Sequence, residues 1–240
     1  EMIDKNKLEY FVFIVFAQLA RLIGFSKVKY LAGFVTFLFF NVLRIRRKVV
    51  FNNLKTAFPE YTQLEIHRLA RRNYRSFSIT LLELLVLPYI SPGEVNSYIK
   101  SDNLEIVKDK YKENKGVIIL TAHFGNWELG AAYISLNLGG TFNVLAKPQR
   151  NPYITRWLKN TREKFGSVEI LLGMSVREIY AALLGKGAVG IVGDQRGPKN
   201  SFRVKYFGKD TATFQGVGAI ALKLKVPVVA GFVTRQKDGN

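Results

Sequence analysis

Cysteine is absent from the 240 residues. That excludes disulfides, thiolate metal sites and any covalent cysteine intermediate. Histidine is nearly absent: His67 and His123 are the only two. No ligand spacing joins them as a metal pair, so no metal is expected. No phosphate-binding glycine loop is found either. Gly173 to Glu178 (GMSVRE) and Gly185 to Gly190 (GKGAVG) match neither the P-loop nor the dinucleotide fingerprint. Acidic residues are scarce, 18 against 36 Lys and Arg, which leaves a formal charge of +18. Such a balance points to anionic partners, either nucleic acid or an anionic membrane. There is no internal repeat and no low-complexity tract.

A clean apolar run of about 18 residues, the length expected of a spanning helix, is also missing. Two shorter runs lie near the N-terminus. Tyr10 to Phe25 is interrupted by Gln18 and Arg21, and Leu31 to Leu43 by Thr36 and Asn41. Sixteen helical residues cover about 24 Å, against a bilayer core of about 30 Å. The first run can span a locally thinned bilayer, insert as a shallow anchor, or form a buried helical hairpin. A signal peptide is disfavoured by Glu1, Asp4 and Arg21. The cluster Arg44, Arg46, Arg47, Lys48 follows at once and suits anionic headgroups on a cytoplasmic face. Residues 1–50 therefore read as a hydrophobic membrane anchor with a basic flank, and 51–240 as the catalytic domain. A nucleic-acid-binding domain would interleave its aromatics with Lys and Arg. Here they concentrate in the apolar runs (Phe11, Phe13, Phe16, Phe34, Phe37, Phe39, Phe40), so no nucleic acid is expected.

What is present is enough for one sizeable α/β core: 48% of residues are hydrophobic and 13% aromatic. Thr62 and Glu65 form a capping box at the head of a long helix ending before Pro88. Ser91-Pro92-Gly93 reads as a loop, and His67 as a solvated residue on a basic helical stretch. Strands are expected at 116–121, 141–146, 168–172, 188–192, 202–207 and 227–233. Helices are expected at 126–138, 152–165, 175–185 and 211–225. This alternation predicts an α/β fold with a mostly parallel central sheet covered by helices. Ligands in such sheets gather at the carboxyl ends of the strands. His123 and Asp194 both fall just beyond such ends, which places them in one site.

The most informative stretch is Thr121-Ala122-His123-Phe124-Gly125-Asn126-Trp127-Glu128, directly after the apolar Gly116 to Leu120. Five residues on one helix differ by about 140°, so His123 and Glu128 would diverge. They can meet only if His123 lies in the loop and Glu128 in the first helical turn. Gly125 permits the tight turn and Asn126 is a good N-cap. The expectation is His123 as general base with Glu128 orienting it. Arg162 is assigned to an anionic group, either a substrate phosphate or a salt bridge that organises the site. Lys147, Arg150 and Arg196 lie in loops near strand ends and are candidates for phosphate contacts.

HFGNWE resembles the H-x4-D/E motif of the glycerolipid acyltransferase superfamily, and its flanks resemble the late lipid A biosynthesis acyltransferases. Five further blocks run in the same order along the chain. They are Asn53-Leu54 with Phe58-Pro59-Glu60, Lys147-Pro148 with Asn151-Pro152, Arg162, Gly193-Asp194-Gln195, and Phe207-Gly208 with Thr213 and Gly216. The resemblance implies a glycerol-3-phosphate acyltransferase-like fold on the cytoplasmic face of the inner membrane. It implies acyl transfer from acyl carrier protein, or from coenzyme A, to a hydroxyl of an anionic lipid A precursor. His123 and Glu128 would be catalytic, and Arg162, Asp194, Asn126, Lys147, Arg150 and Arg196 would bind substrate. No cofactor is implied. Another glycolipid or a lysophospholipid is the alternative acceptor. Members of the family usually continue for some tens of residues, so a further strand and helix are expected after Gln236 to Asn240, which read as a hairpin turn.

Overall fold

The computed structural model describes residues 4–101, 103–113, 115–173 and 176–236. Asp4 caps the first helix, α1 (Lys5–Ile23), by accepting the Asn6 N–H. Every third or fourth residue of α1 turns inward: Tyr10, Phe13, Ile14, Ala17 and Ala20. The helix stops at Gly24, whose φ of +86° suits a residue without a Cβ. The chain then turns by 106° into a broken helical stretch, Phe25–Val42. Its pieces are α2 (Phe25–Val28), a 3₁₀ turn at Lys29–Leu31, α3 (Ala32–Phe37) and a π turn at Leu38–Val42. Among the described residues no single helix is long and apolar enough to cross a membrane; only this bent pair has the composition.

Next come α4 (Arg47–Ala57), α5 (Gln63–Val86), α6 (Pro92–Tyr98) and α7 (Leu104–Lys112). The expected Thr62–Glu65 capping box opens α5. Ser91 is not simply in a loop. It forms a second capping box with Glu94 and starts α6, with Pro92 in the first turn where its missing N–H costs nothing. The first half of α5 buries Ala70 and Tyr74 against Phe40. His67 belongs to that aromatic cluster and is not freely solvated: its ring stands edge-on to Phe40 and Phe51. The Tyr74 hydroxyl donates to the Ile45 carbonyl. Burial pushes that phenol above its ordinary pKa, with nearby Arg47 pulling the other way.

The sheet alternates strand and helix as expected. Its elements are β1 (Val117–Thr121), α8 (Trp127–Asn137), β2 (Phe142–Ala146), α9 (Pro152–Lys164), β3 (Ser167–Leu171), α10 (Val176–Leu184) and β4 (Ala188–Val192). The chain then departs from expectation. The helix expected over 211–225 does not begin at Thr211: Thr211 and Ala212 belong to β6 (Lys209–Ala212), antiparallel to β5 (Arg203–Tyr206), the strand expected at 202–207. Lys-Asp-Thr-Ala begins poorly as a helix. The Phe207–Gly208 turn, left-handed at both residues, folds it back into a hairpin. The helix α11 (Gly216–Leu224) starts later and leads to β7 (Val228–Ala230). The hairpin turn expected at the chain's end lies mostly outside the described residues.

The main sheet is parallel throughout, in the order β3-β2-β4-β1-β7. Alternate residues face opposite layers. Ile118, Val189, Ile191 and Ile170 pack against Ile179, Leu183 and Ile220 of α10 and α11. Val117, Ile119, Phe142 and Val144 pack against Val107 of α7 and the inner side of α8. On its far side α8 meets α5, α2 and α6, joined by Leu129, Ala132, Leu82, Val86, Phe25 and Val95. Each fully buried aliphatic side chain here contributes about 1.5–3 kcal/mol. The N-terminal helices are a layer of this body. Phe13 meets Trp157 of α9 edge-on at 4.9 Å, Tyr10 stacks on Tyr153, and Asn151 donates to the Asn6 carbonyl.

Candidate active site

The site follows from strand register. β1 and β4 are parallel neighbours, with Thr121 opposite Val192. Two residues beyond each lie His123 and Asp194, so the register alone sets them side by side. The chain leaves β1 into α8, on one face of the sheet, and leaves β4 toward α11, on the other face. Connections that pass to opposite faces from adjacent strands open a crevice at the carboxyl edge, where open α/β sheets bind ligands.

In that crevice His123 Nδ1 lies 2.7 Å from Asp194 Oδ1, and the His123 backbone N–H donates to Asp194 Oδ2 at 2.8 Å. One carboxylate thus holds both the ring and the backbone that carries it. Because a carboxylate oxygen accepts, Nδ1 carries the proton and Nε2 offers its lone pair outward. Trp127 stands edge-on to the imidazole, with ring centroids 4.7 Å apart. The side chains of His123 and Asp194 are each about one-third exposed, so the imidazole is open to solvent.

Glu128 occupies the first turn of α8, as the spacing required, but it does not orient His123. Both of its oxygens are taken by Arg162, whose Nε and Nη2 donate at 2.9 and 2.6 Å. The reason is geometric. A guanidinium fork matches a carboxylate edge in two parallel hydrogen bonds, and the imidazole already has Asp194. Arg162 also donates through Nη1 to Glu169, which is almost wholly buried on β3. Of the two assignments open for Arg162, the geometry displays the salt bridge, tying α8, α9 and β3 together. Burial alone would depress its pKa. The paired carboxylates of Glu128 and Glu169 outweigh that and push it above the ordinary arginine value.

Asn126 is the N-cap of α8, accepting the Leu129 N–H at 3.0 Å, and it is only 3% exposed. Its amide also donates to Glu83 of α5 at 2.9 Å. It is therefore a buried structural link below the crevice. Lys147, Arg150 and Arg196 are exposed beyond β2 and β4, on the same edge of the sheet as His123. Sequence reasoning missed Trp127, which sits within the motif, and Glu169, whose strand position gave no sign of an arginine partner 7 residues away. A shallow hollow of about 490 Å³ lies elsewhere, between α10 and Lys223 of α11, and contains none of these residues.

The profile of bacterial lipid A biosynthesis acyltransferases matches residues 4–240. The chain belongs to this family. It is 26% identical over 205 residues to the lipid A biosynthesis palmitoleoyltransferase of Escherichia coli (strain K12), covering 82% of this chain and 64% of that protein. It is 24% identical over 201 residues to the lipid A biosynthesis lauroyltransferase of the same strain, with the same coverage. A lipid A biosynthesis acyltransferase of Haemophilus influenzae is 25% identical over 198 residues, covering 81% and 62%. The chain thus spans a little under two-thirds of the length of these curated relatives.

Proposed function

We infer that this family member is an acyltransferase that moves a fatty acyl chain from a thioester to a hydroxyl of a lipid A-type precursor. The observation that carries the reading is the His123–Asp194 pair in the β1/β4 crevice. Nε2 of His123 takes the proton of the acceptor hydroxyl while its oxygen attacks the thioester carbonyl. The tetrahedral intermediate collapses to the ester and expels a thiolate, which recovers the proton from the imidazolium as a free thiol. Asp194 fixes the tautomer and stabilises the imidazolium as it forms. The step needs no covalent enzyme intermediate. Lys147, Arg150 and Arg196 rim the same edge and suit the phosphates of an anionic acceptor. The charge of +18 suits an anionic donor, whether acidic acyl carrier protein or the phosphates of coenzyme A.

The test is acyl transfer by purified protein, with radiolabelled tetra-acylated lipid A precursor and lauroyl or myristoyl carrier protein. Acyl-CoA, other glycolipids and lysophospholipids run in parallel. Transfer to the lipid A precursor supports the reading. Transfer confined to a lysophospholipid keeps the chemistry and replaces the acceptor.

The enzyme would work at an inner-membrane surface from the cytoplasmic face. The outer face of α1 displays Phe11, Val12, Val15, Phe16, Leu19 and Leu22, all more than 40% exposed, while the opposite face is packed on α5 and α9. Phe34 and Phe37 of α3 are exposed too. Arg44, Arg46 and Lys48 follow close behind, also exposed. A helix docked lengthwise on its own domain suits the interface plane better than a perpendicular crossing. Replacing Phe11, Phe16 and Leu22 together by serine should weaken sedimentation with anionic vesicles at least about tenfold, since three apolar side chains leave the lipid. Unchanged binding would remove α1 from the membrane contact.

A further inference from the structure

The loop that presents His123 is held from behind by groups that never reach the crevice. Residues 122–126 leave β1 and enter α8 between two outside elements. From α5, the Thr80 hydroxyl donates to the Gly125 carbonyl at 3.0 Å, and the Glu83 carboxylate accepts the Asn126 amide at 2.9 Å. From the segment following β7, Val233 lies directly on the loop. A Cβ on Gly125, where φ is +58°, would stand 2.2 Å from the Val233 carbonyl oxygen, and one on Gly130 2.4 Å from Val233 Cγ2. Arg235 then closes on Glu83 with a two-pronged pair, Nη2 donating to Oε2 at 2.7 Å and Nη1 to Oε1.

This arrangement has a direction. Glu83 is 6% exposed in its side chain and shares Oε2 between Arg235 and Asn126. By accepting the Asn126 amide it turns Asn126 Oδ1 toward the helix, where that oxygen caps α8. The chain of contacts Arg235, Glu83, Asn126 and Leu129 N–H therefore fixes how α8 starts, at an N-cap three residues after His123. For stability alone, well-packed apolar residues would serve as well as a buried ion pair. Directional groups placed on a catalytic loop fit the need to hold a base within a fraction of an ångström.

We propose that Glu83 and Arg235 are positioning residues for His123, acting through Asn126 and Gly125 without touching the reactants. Arg235 couples the segment after β7 to the geometry of the base. The kinetic half of this inference rests on the acyltransferase reading above; the spectroscopic half does not.

The experiment uses the whole chain and exploits its two histidines. In ¹⁵N-histidine-labelled protein, the His123 signals are assigned by comparison with a His67 variant. Glu83→Gln keeps the shape but removes the charge. Thr80→Val removes one hydroxyl at constant volume. Wild type should show a protected, downfield Nδ1 proton on His123, which Glu83→Gln should broaden or lose. In transfer assays kcat should fall about 10- to 100-fold with acceptor KM within about twofold, as for a slightly misplaced base. Thr80→Val should give the same pattern more weakly. Arg235→Lys should recover part of what Arg235→Ala loses, and the surface control Glu163→Gln should change nothing. Should Glu83→Gln fail to fold, the Arg235→Lys and Arg235→Ala pair decides. A lower melting temperature with unchanged kcat and an unchanged His123 signal would make the pair a structural clamp and overturn the proposal. A changed His123 signal with no transfer by wild type upholds the positioning and overturns the acyltransferase reading.

Discussion

Replacing His123 with alanine should reduce acyl transfer by about 10²–10⁴-fold, the usual worth of a positioned general base. Stability should change by less than about 0.5 kcal/mol, because the side chain is one-third exposed and leaves no sealed cavity. The acceptor hydroxyl then has only water to receive its proton. Asp194→Asn should come close to the same loss. An amide can present its NH₂ to Nδ1, which selects the wrong tautomer and turns the lone pair inward. Glu128→Gln separates this arrangement from a His123–Glu128 dyad. With Asp194 as the orienting group, Glu128→Gln should lower the melting temperature more than kcat. A kcat loss matching that of His123→Ala, at unchanged stability, would restore Glu128 as the partner and sink the present assignment. Full activity in His123→Ala would remove the base altogether.

The reason Glu128 was the natural expectation, and Asp194 the observed partner, lies in what a sequence displays. Local signals were legible. The Thr62–Glu65 capping box predicted the start of α5, and the apolar Gly116 to Leu120 predicted β1. Gly125 and Asn126 behave as turn and cap, with φ +58° at the former and a hydrogen bond to Leu129 at the latter. His123 and Asp194 could even be placed at strand ends. Their contact spans 71 positions and depends on β4 pairing with β1 in one register. No local pattern encodes that pairing. The same holds for Glu83 with Arg235, 152 positions apart. Ser91-x-x-Glu94 has the same capping pattern as Thr62-x-x-Glu65, and it marks a helix start inside the Ser-Pro-Gly stretch that resembles a loop. β5 falls within the strand expected at 202–207, but its pairing with β6 is not legible for another reason. A helix does follow, but it begins at Gly216, only after the antiparallel pairing has used residues 209–212.

Arg162→Leu should destabilise the fold by about 3–5 kcal/mol, the cost of removing one partner from a buried ionic cluster. For a chain of this size that corresponds to a fall of about 6–20 °C in melting temperature. Two carboxylates converge on this guanidinium, Glu128 with 12% and Glu169 with 2% of its side chain exposed. Without Arg162 they face each other across a space that water barely enters, and like charges in low dielectric repel strongly. Glu169→Gln leaves a one-to-one pair with Glu128 and should cost far less than Arg162→Leu. Melting curves of the three proteins provide the check. If Arg162 instead served to hold a substrate phosphate, Arg162→Leu would melt like wild type and raise the acceptor KM. That result would separate α8 from α9 energetically, and the close packing of Glu128 on Arg162 would carry no stability.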